Sequence, residues 1–212
     1  MKGHLAIVRL LIDKGADVNA TVGGTGLTPL LWASQKGHLE IARLVVSQGA
    51  NVNAAQADDG RTPLTWASVG NFTEIVRLLL QNNANVNAAQ TDTGLTALMW
   101  ASQVARLEIV QLLIASGANV NAVTTDTGTT ALILSCKKGR VEIIRTLIDN
   151  GAMVNAASAD DGTTALMNAA MHGNDKIVQL LLSRGANKDT KDTWNRTALQ
   201  LATTFDTKQL LA

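Results

Sequence analysis

The feature that most constrains this chain is a six-residue phrase that returns along it at an almost constant interval. Thr28-Pro29-Leu30-Leu31-Trp32-Ala33, Thr62-Pro63-Leu64-Thr65-Trp66-Ala67 and Thr96-Ala97-Leu98-Met99-Trp100-Ala101 are followed by the shorter echoes Thr130-Ala131-Leu132, Thr164-Ala165-Leu166 and Thr197-Ala198-Leu199. The steps between them are 34, 34, 34, 34 and 33 residues. A chain that repeats itself at this period builds a stacked array, in which each unit buries its apolar face only against its neighbours. Length then sets the number of units, and function belongs on surfaces that several units share.

Within a unit the residues spell out two helices and a connection. Thr62 caps a first helix with its hydroxyl, and Pro63 takes the first helical position, where no amide hydrogen is needed. That helix runs to about Val69 and ends near Gly70-Asn71, with Gly37, Gly139 and Gly173 in the register of Asn71. A positive φ is expected there, so Ala105 in the same register predicts strain of roughly 1 kcal/mol or a reshaped turn. A second helix carries Ile75, Leu78 and Leu79 on one face, matched by Ile41, Leu44, Val45 and by Ile109, Leu112, Leu113. Glu40, Glu74, Glu108 and Glu142 open these helices, and Arg43, Arg77 and Arg145 follow three residues later, as on a solvated face. Thr146 replaces a leucine of the stripe and is expected to weaken packing in its unit. Next comes an extended segment such as Asn51-Val52-Asn53-Ala54, then the turn-forming Asp58-Asp59-Gly60-Arg61, which predicts a projecting hairpin finger.

Thr-Pro-Leu-x-x-Ala, the Gly37-His38-Leu39-Glu40-Ile41 turn and Gly49-Ala50-Asn51-Val52-Asn53-Ala54 together resemble the ankyrin repeat, over essentially the whole chain. The resemblance implies an all-α solenoid of stacked helix-turn-helix units with short β-hairpin fingers. Inner helices and fingers would line a concave groove. The chain reads as one domain, 1–212: a partial repeat 1–20, repeats 21–54, 55–88, 89–122, 123–156 and 157–189, and a terminal partial repeat 190–212. Gly3-His4-Leu5 aligns with Gly37-His38-Leu39, so the chain opens inside a unit, and both ends read as cut. Two departures stand out. The family's usual period is 33, and the extra residue falls in finger segments such as Ala54-Ala55-Gln56-Ala57-Asp58-Asp59-Gly60. The histidine that commonly follows Thr-Pro-Leu is replaced by Leu31, Thr65, Met99, Ile133, Met167 and Gln200, so its hydrogen bonds to the finger are missing or rerouted. The resemblance also marks Asn53, Asn87, Asn121 and Asn155 as acceptors for an ankyrin-directed asparaginyl hydroxylase.

The sharpest candidates for function are Trp32, Trp66 and Trp100, one per repeat at the same place on the inner helix. A fully exposed ladder of three indoles would present on the order of 450–750 Å², at least as much as the largest apolar patch of a typical monomer. The competing reading is that each indole lies flat against the next repeat. The tryptophan register continues as Leu134, Asn168 and Leu201, and one turn later runs the stripe Lys36, Gly70, Val104, Lys138 and His172. Lys137, Lys138 and Arg140 make the fourth full unit basic, which fits a partner with a hydrophobic segment and an acidic end. Finger tips carry Asp58, Asp59, Asp92, Asp126, Asp160 and Asp161, with Arg61 as the exception. Trp194 breaks the register and reads as end-cap packing.

Chemistry of its own finds little support. His4, His38 and His172 are scattered, Cys136 sits at a small-residue packing position, and no cysteine–histidine spacing suggests zinc. Gly23-Gly24-Thr25-Gly26 lacks the lysine of a phosphate loop. A net charge of +1 gives no reason to expect nucleic acid, and no apolar run is long enough for membrane insertion. The lone cysteine and the absence of a leader-like start point to the cytoplasm, or the nucleus. The reading is a non-enzymatic, cofactor-free and metal-free scaffold, expected to be monomeric, that binds another protein or an extended peptide through its groove and finger tips. The alternatives are an architectural spacer within a longer protein and a designed or consensus-derived array.

Overall fold

The computed structural model describes residues 4–212 as an alternation of short helices in two rows. Met1 to Gly3 lie outside the described residues, as does the side chain of His4, so the opening Gly-His-Leu register is followed only from Leu5. The inner row contains α2 (Pro29–Lys36), α4 (Pro63–Gly70), α6 (Ala97–Gln103), α8 (Ala131–Lys137), α10 (Ala165–Met171) and α12 (Ala198–Leu201). The outer row contains α1 (His4–Asp13), α3 (Leu39–Ser47), α5 (Thr73–Gln81), α7 (Leu107–Ala115), α9 (Val141–Asp149), α11 (Asp175–Ser183) and α13 (Phe205–Leu211). From α2 onward each inner helix packs on its own outer partner and on the inner helices beside it.

The caps form as the sequence predicts. Thr28, Thr62, Thr96, Thr130 and Thr164 each accept the backbone N–H three residues on, at 3.2–3.3 Å. Thr197 uses a variant, its N–H donating to Gln200 Oε1 at 2.8 Å. The first helices end on a residue of positive φ: Gly37 at 73°, Asn71 at 63° and Ala105 at 63°. Ala105 therefore adopts the strained conformation rather than reshaping the turn. Leu30, Leu64, Leu98, Leu132 and Leu166, the third residue of each phrase, are at most 1% exposed and anchor the core between repeats. Thr146 is half-buried and turns its hydroxyl to Glu142 O at 2.8 Å, satisfying itself within its helix instead of packing outward.

The fingers are less regular than the hairpins expected. Among the described residues there are no strands, only isolated antiparallel bridges such as Val22–Leu27 and Ala89–Thr96. The reason is visible in the hydrogen bonds. Gln56 N–H donates to Arg61 O at 2.9 Å and Gly60 N–H to Gln56 O at 3.0 Å, so the backbone is consumed in a tight loop. The same five-residue step recurs at Gln90–Leu95, Thr124–Thr129 and Ser158–Thr163, whereas the last finger closes over four, from Asp192 to Arg196. This places the extra residue of the 34-residue units in the finger loop, and its loss in the last finger accounts for the step of 33.

Successive fingers are joined to one another. Thr91 N–H donates to Asp59 O at 3.1 Å, Thr125 N–H to Thr93 O at 2.9 Å, and Ala159 N–H to Thr127 O at 2.8 Å. Gly60 and Gly94 make this approach possible: both have positive φ, and a Cβ at Gly94 would lie 2.6 Å from Thr125 N. A second seam runs at the base of the fingers. Asn87 Oδ1 accepts the N–H of Asn119 at 2.8 Å while its Nδ2 donates to Gly117 O at 3.2 Å. Asn53, Asn121 and Asn155 repeat this two-sided bond to the following unit. The asparagines that the resemblance marks for hydroxylation are thus the rungs that hold neighbouring repeats in register.

Candidate functional site

The three tryptophans share a register but not a setting. Trp32 is 48% exposed, whereas Trp66 and Trp100 are half-buried. Trp66 Nε1 donates to Gln56 Oε1 at 2.8 Å, and Trp100 Nε1 donates to Gln90 Oε1 at 2.8 Å. In each case the acceptor stands ten residues earlier, in the finger of the same repeat. These bonds are the rerouted link between helix and finger, since Leu31, Thr65, Met99, Ile133 and Met167, in the usual histidine's place, are buried in the core. Val22 holds the corresponding place ahead of Trp32 and has no side-chain acceptor to offer. Side-chain amides are common in turns and fingers, and only the fixed ten-residue offset from each tryptophan singles out Gln56 and Gln90.

Arg61 is not a stray charge at a finger tip. Its guanidinium lies over the faces of two indoles, 4.6 Å from the Trp66 ring centre and 5.2 Å from that of Trp100. Inner helices pack about 8–10 Å apart, so the guanidinium fills the gap between the rings. Arg61 Nε stands 3.1 Å from Asp59 Oδ2 but makes no aligned hydrogen bond. The three-indole ladder is therefore a braced, interleaved stack in its second and third members and open at its first.

Beside Trp32 lies a cleft of about 510 Å³ lined by Ala20, Val22, Leu27, Thr28 and Pro29. Val22 there is 69% exposed. Among the described residues no inner helix flanks α2 on this side. The Lys36 ammonium lies over the Trp32 ring, 4.8 Å from its centre.

Farther along, Val104 and Leu134 are half-buried, and Lys36, Lys138 and His172 are exposed. Asn168 departs from its expected place in the groove. It is 1% exposed, its Nδ2 donates to Thr164 O at 3.1 Å, and its Oδ1 is buried without a partner. An asparagine is too short to reach past the helices that flank it, so the tryptophan register turns inward in this unit, before the half-buried Leu201. His172 stands with Nδ1 2.8 Å from the Asn168 carbonyl. Phe72 occupies the place of His38 in the inter-helix turn, and a Cβ on either Gly37 or Gly70 would run into its ring at 2.4 and 2.3 Å. Gly70 thus interrupts the Lys36–Val104–Lys138–His172 stripe to make room for Phe72.

At the finger tips Asp58, Asp92, Asp126 and Asp160 are exposed, each accepting the next residue's N–H at 2.6–2.8 Å. Hydrogen bonds from Thr124 and Thr127 hold Asp126 below the usual carboxylate range. For Asp161 burial acts upward, and hydrogen bonds from Ser158 and Thr163 with the charge of Lys137 outweigh it. Asp59 and Asp161 lean inward and are half-buried, so each of these four fingers presents one exposed carboxylate. In the last finger Arg196 stacks on Trp194 at 4.7 Å and grips Asp192 through Nε at 2.8 Å and Nη2 at 2.7 Å.

Burial pushes the Cys136 thiol up, away from thiolate reactivity. Among the described residues no three His, Cys, Asp or Glu side chains are grouped to hold a metal ion, and no helix is long and apolar enough to cross a membrane.

Family models described as "Ankyrin repeats (3 copies)" match residues 52–124, 121–192 and 156–211, and one described as "Ankyrin repeats (many copies)" matches residues 1–46. The ankyrin repeat domain of Bcl-3, described as a unique member of the IkappaB protein family, superposes with a TM-score of 0.85 at 28% identity, covering 98% of this chain and 91% of that one. The human ASB11 ankyrin repeat domain superposes with a TM-score of 0.82 at 26% identity, covering 99% and 92%. A comparison with curated protein sequences gives no significant match. Domains of this kind are generally protein–protein interaction modules and typically non-catalytic, and by its repeats, its stacked helix pairs and the family models that cover it, this chain belongs to the ankyrin repeat family.

Proposed function

We propose that this chain is a non-enzymatic scaffold that binds a partner protein, or an extended segment of one, along the face made by its inner helices and fingers. The observation that carries the reading is the row of indoles at one register of the inner helices, Trp32 48% exposed and Trp66 and Trp100 half-buried. Large aromatic side chains in partly enclosed apolar clefts are the groups that anchor protein interfaces. The face changes along its length: indoles in the first three full units, with acidic finger tips in the second and third, then exposed Lys137, Lys138 and Arg140 in the fourth. A partner segment with an apolar anchor at one end and acidic residues at the other matches that order.

The test is a crosslinking pull-down from the source cell, comparing wild type with Trp32→Ala and with the Trp32→Ala/Trp66→Ala/Trp100→Ala variant, alongside thermal unfolding of each. Trp32 makes no hydrogen bond through its ring among the described residues, so Trp32→Ala is expected to stay folded and lose a specific partner. Retention of every partner by a folded triple variant would overturn the reading.

A further inference from the structure

We propose that the space between the Trp66 and Trp100 rings is a binding slot for a cationic side chain, with Arg61 as its resident occupant. A partner segment lying in the groove places its own arginine or lysine there when Arg61 swings out. The inference rests on the groove as the binding face and names one subsite within it.

Four observations build the slot. The two indoles present their faces 4.6 and 5.2 Å from the Arg61 guanidinium carbon, the geometry in which a ring quadrupole attracts a cation. Gln56 and Gln90 hold the rings by their N–H groups and not through Arg61, so the rings keep their orientation when it leaves. Asp59 is fixed as well: its Oδ1 accepts the backbone N–H of Arg61 at 3.0 Å, a bond that does not depend on the Arg61 side chain. The carboxylate therefore stays to receive a replacement charge. Finally, the two fingers around the slot carry Asp58, Asp59 and Asp92 and no cation but Arg61, so the local field favours a positive ligand.

Arg61 is held loosely enough to leave. Its one ion pair lacks hydrogen-bond alignment. Arg196, in the same register of the last finger, shows the contrast: one ring, but two short contacts to a carboxylate that is 1% exposed. That arginine is locked and Arg61 is not. The other residues of this register are Leu27, Leu95, Thr129 and Thr163, so threonine is compatible with the finger backbone.

The experiment titrates N-acetylarginine amide into wild type and Arg61→Thr, reading tryptophan fluorescence, with N-acetylcitrulline amide as the neutral isostere and circular dichroism as the check on folding. Arg61→Thr is expected to bind the arginine derivative saturably at millimolar concentration, at least tenfold more tightly than wild type and at least tenfold more tightly than it binds the citrulline derivative. Wild type should reach the same end point at higher concentration, because only molecules with Arg61 displaced are competent. Adding Trp100→Leu should abolish the response. Equal binding of both derivatives, or none by a folded Arg61→Thr, would show that no cation slot exists. Binding by Arg61→Thr with no saturation in wild type would show a slot that Arg61 never vacates, which also overturns the proposal. Since the probe is a single amino-acid derivative, the result does not depend on what the pull-down recovers.

Discussion

Ser34, Ser68 and Ser102 hold one register of the inner helices, fully buried, and their hydroxyls meet no partner. A buried hydroxyl without a hydrogen bond costs more than it contributes, and Cys136 and Ala170 in the same register show that a small apolar group fits. Ser68→Ala is expected to raise stability by about 1 kcal/mol in urea unfolding; a loss of stability would mean that the hydroxyl is satisfied by water. The last finger supplies a pH dependence. Burial acts to raise the Asp192 carboxyl, and the hydrogen bonds and charge of Arg196 bring it below the ordinary value. A carboxylate depressed in the folded state contributes stability above its unfolded value of about 3.9 and loses it as pH falls through the folded value. The Trp194 indole resonance is therefore expected to shift below about pH 4, and not in Asp192→Asn. Residue identities alone showed the Thr caps and marked Ala105 as either a strained left-handed turn or a reshaped one, because both are decided by local backbone. They did not show Arg61 folding back over two indoles or Asn168 turning inward, because both depend on side chains 30 or more residues apart meeting across a repeat boundary.

Helices and fingers differ in how they resist change. The helices are held by buried leucines and isoleucines, whereas each finger meets the next through a backbone hydrogen bond beside a glycine of positive φ. Gly94→Ala forces a Cβ to 2.6 Å from Thr125 N at a φ of 72°, so it should break that joint. A loss of roughly 2–3 kcal/mol is expected by chemical denaturation, from backbone strain and the lost bond together, with hydrogen exchange quickening first at Thr125. Set against the 33-residue period that the resemblance implies, the period of 34 placed the extra residue in the finger segments. That the finger would close as a tight loop and not a ladder was not legible: Asp, Gly and Thr suit both, and the choice is made by where the N–H groups of Gln56 and Gly60 find carbonyls.

Across the whole molecule the stacking direction is stitched by identical bonds, so stability should behave as a sum over interfaces. Asn87→Ala removes two hydrogen bonds to the following repeat and is expected to cost about 1–3 kcal/mol. Combined with Asn155→Ala, two repeats away, the losses should add to within about 0.5 kcal/mol; strong coupling would show that the array unfolds as one body. The repeat architecture was legible throughout, because periodicity is a property of the sequence itself. The groove's chemistry was legible only as a set of residues, since which of them face solvent depends on neighbours one repeat away. The sameness of the joints also bears on how such a gene can change. Excising the codons for residues 62–95 would join Arg61 to Thr96, and duplicating them would join Leu95 to Thr62; either way every new neighbour meets a partner of a kind already present, with no central core to repair. The shortened chain should keep a cooperative thermal transition. Arg61 would then lie between Trp100 and Leu134 in place of two indoles, so heredity could rewrite what the surface recognises in whole-unit steps while leaving the capacity to fold intact.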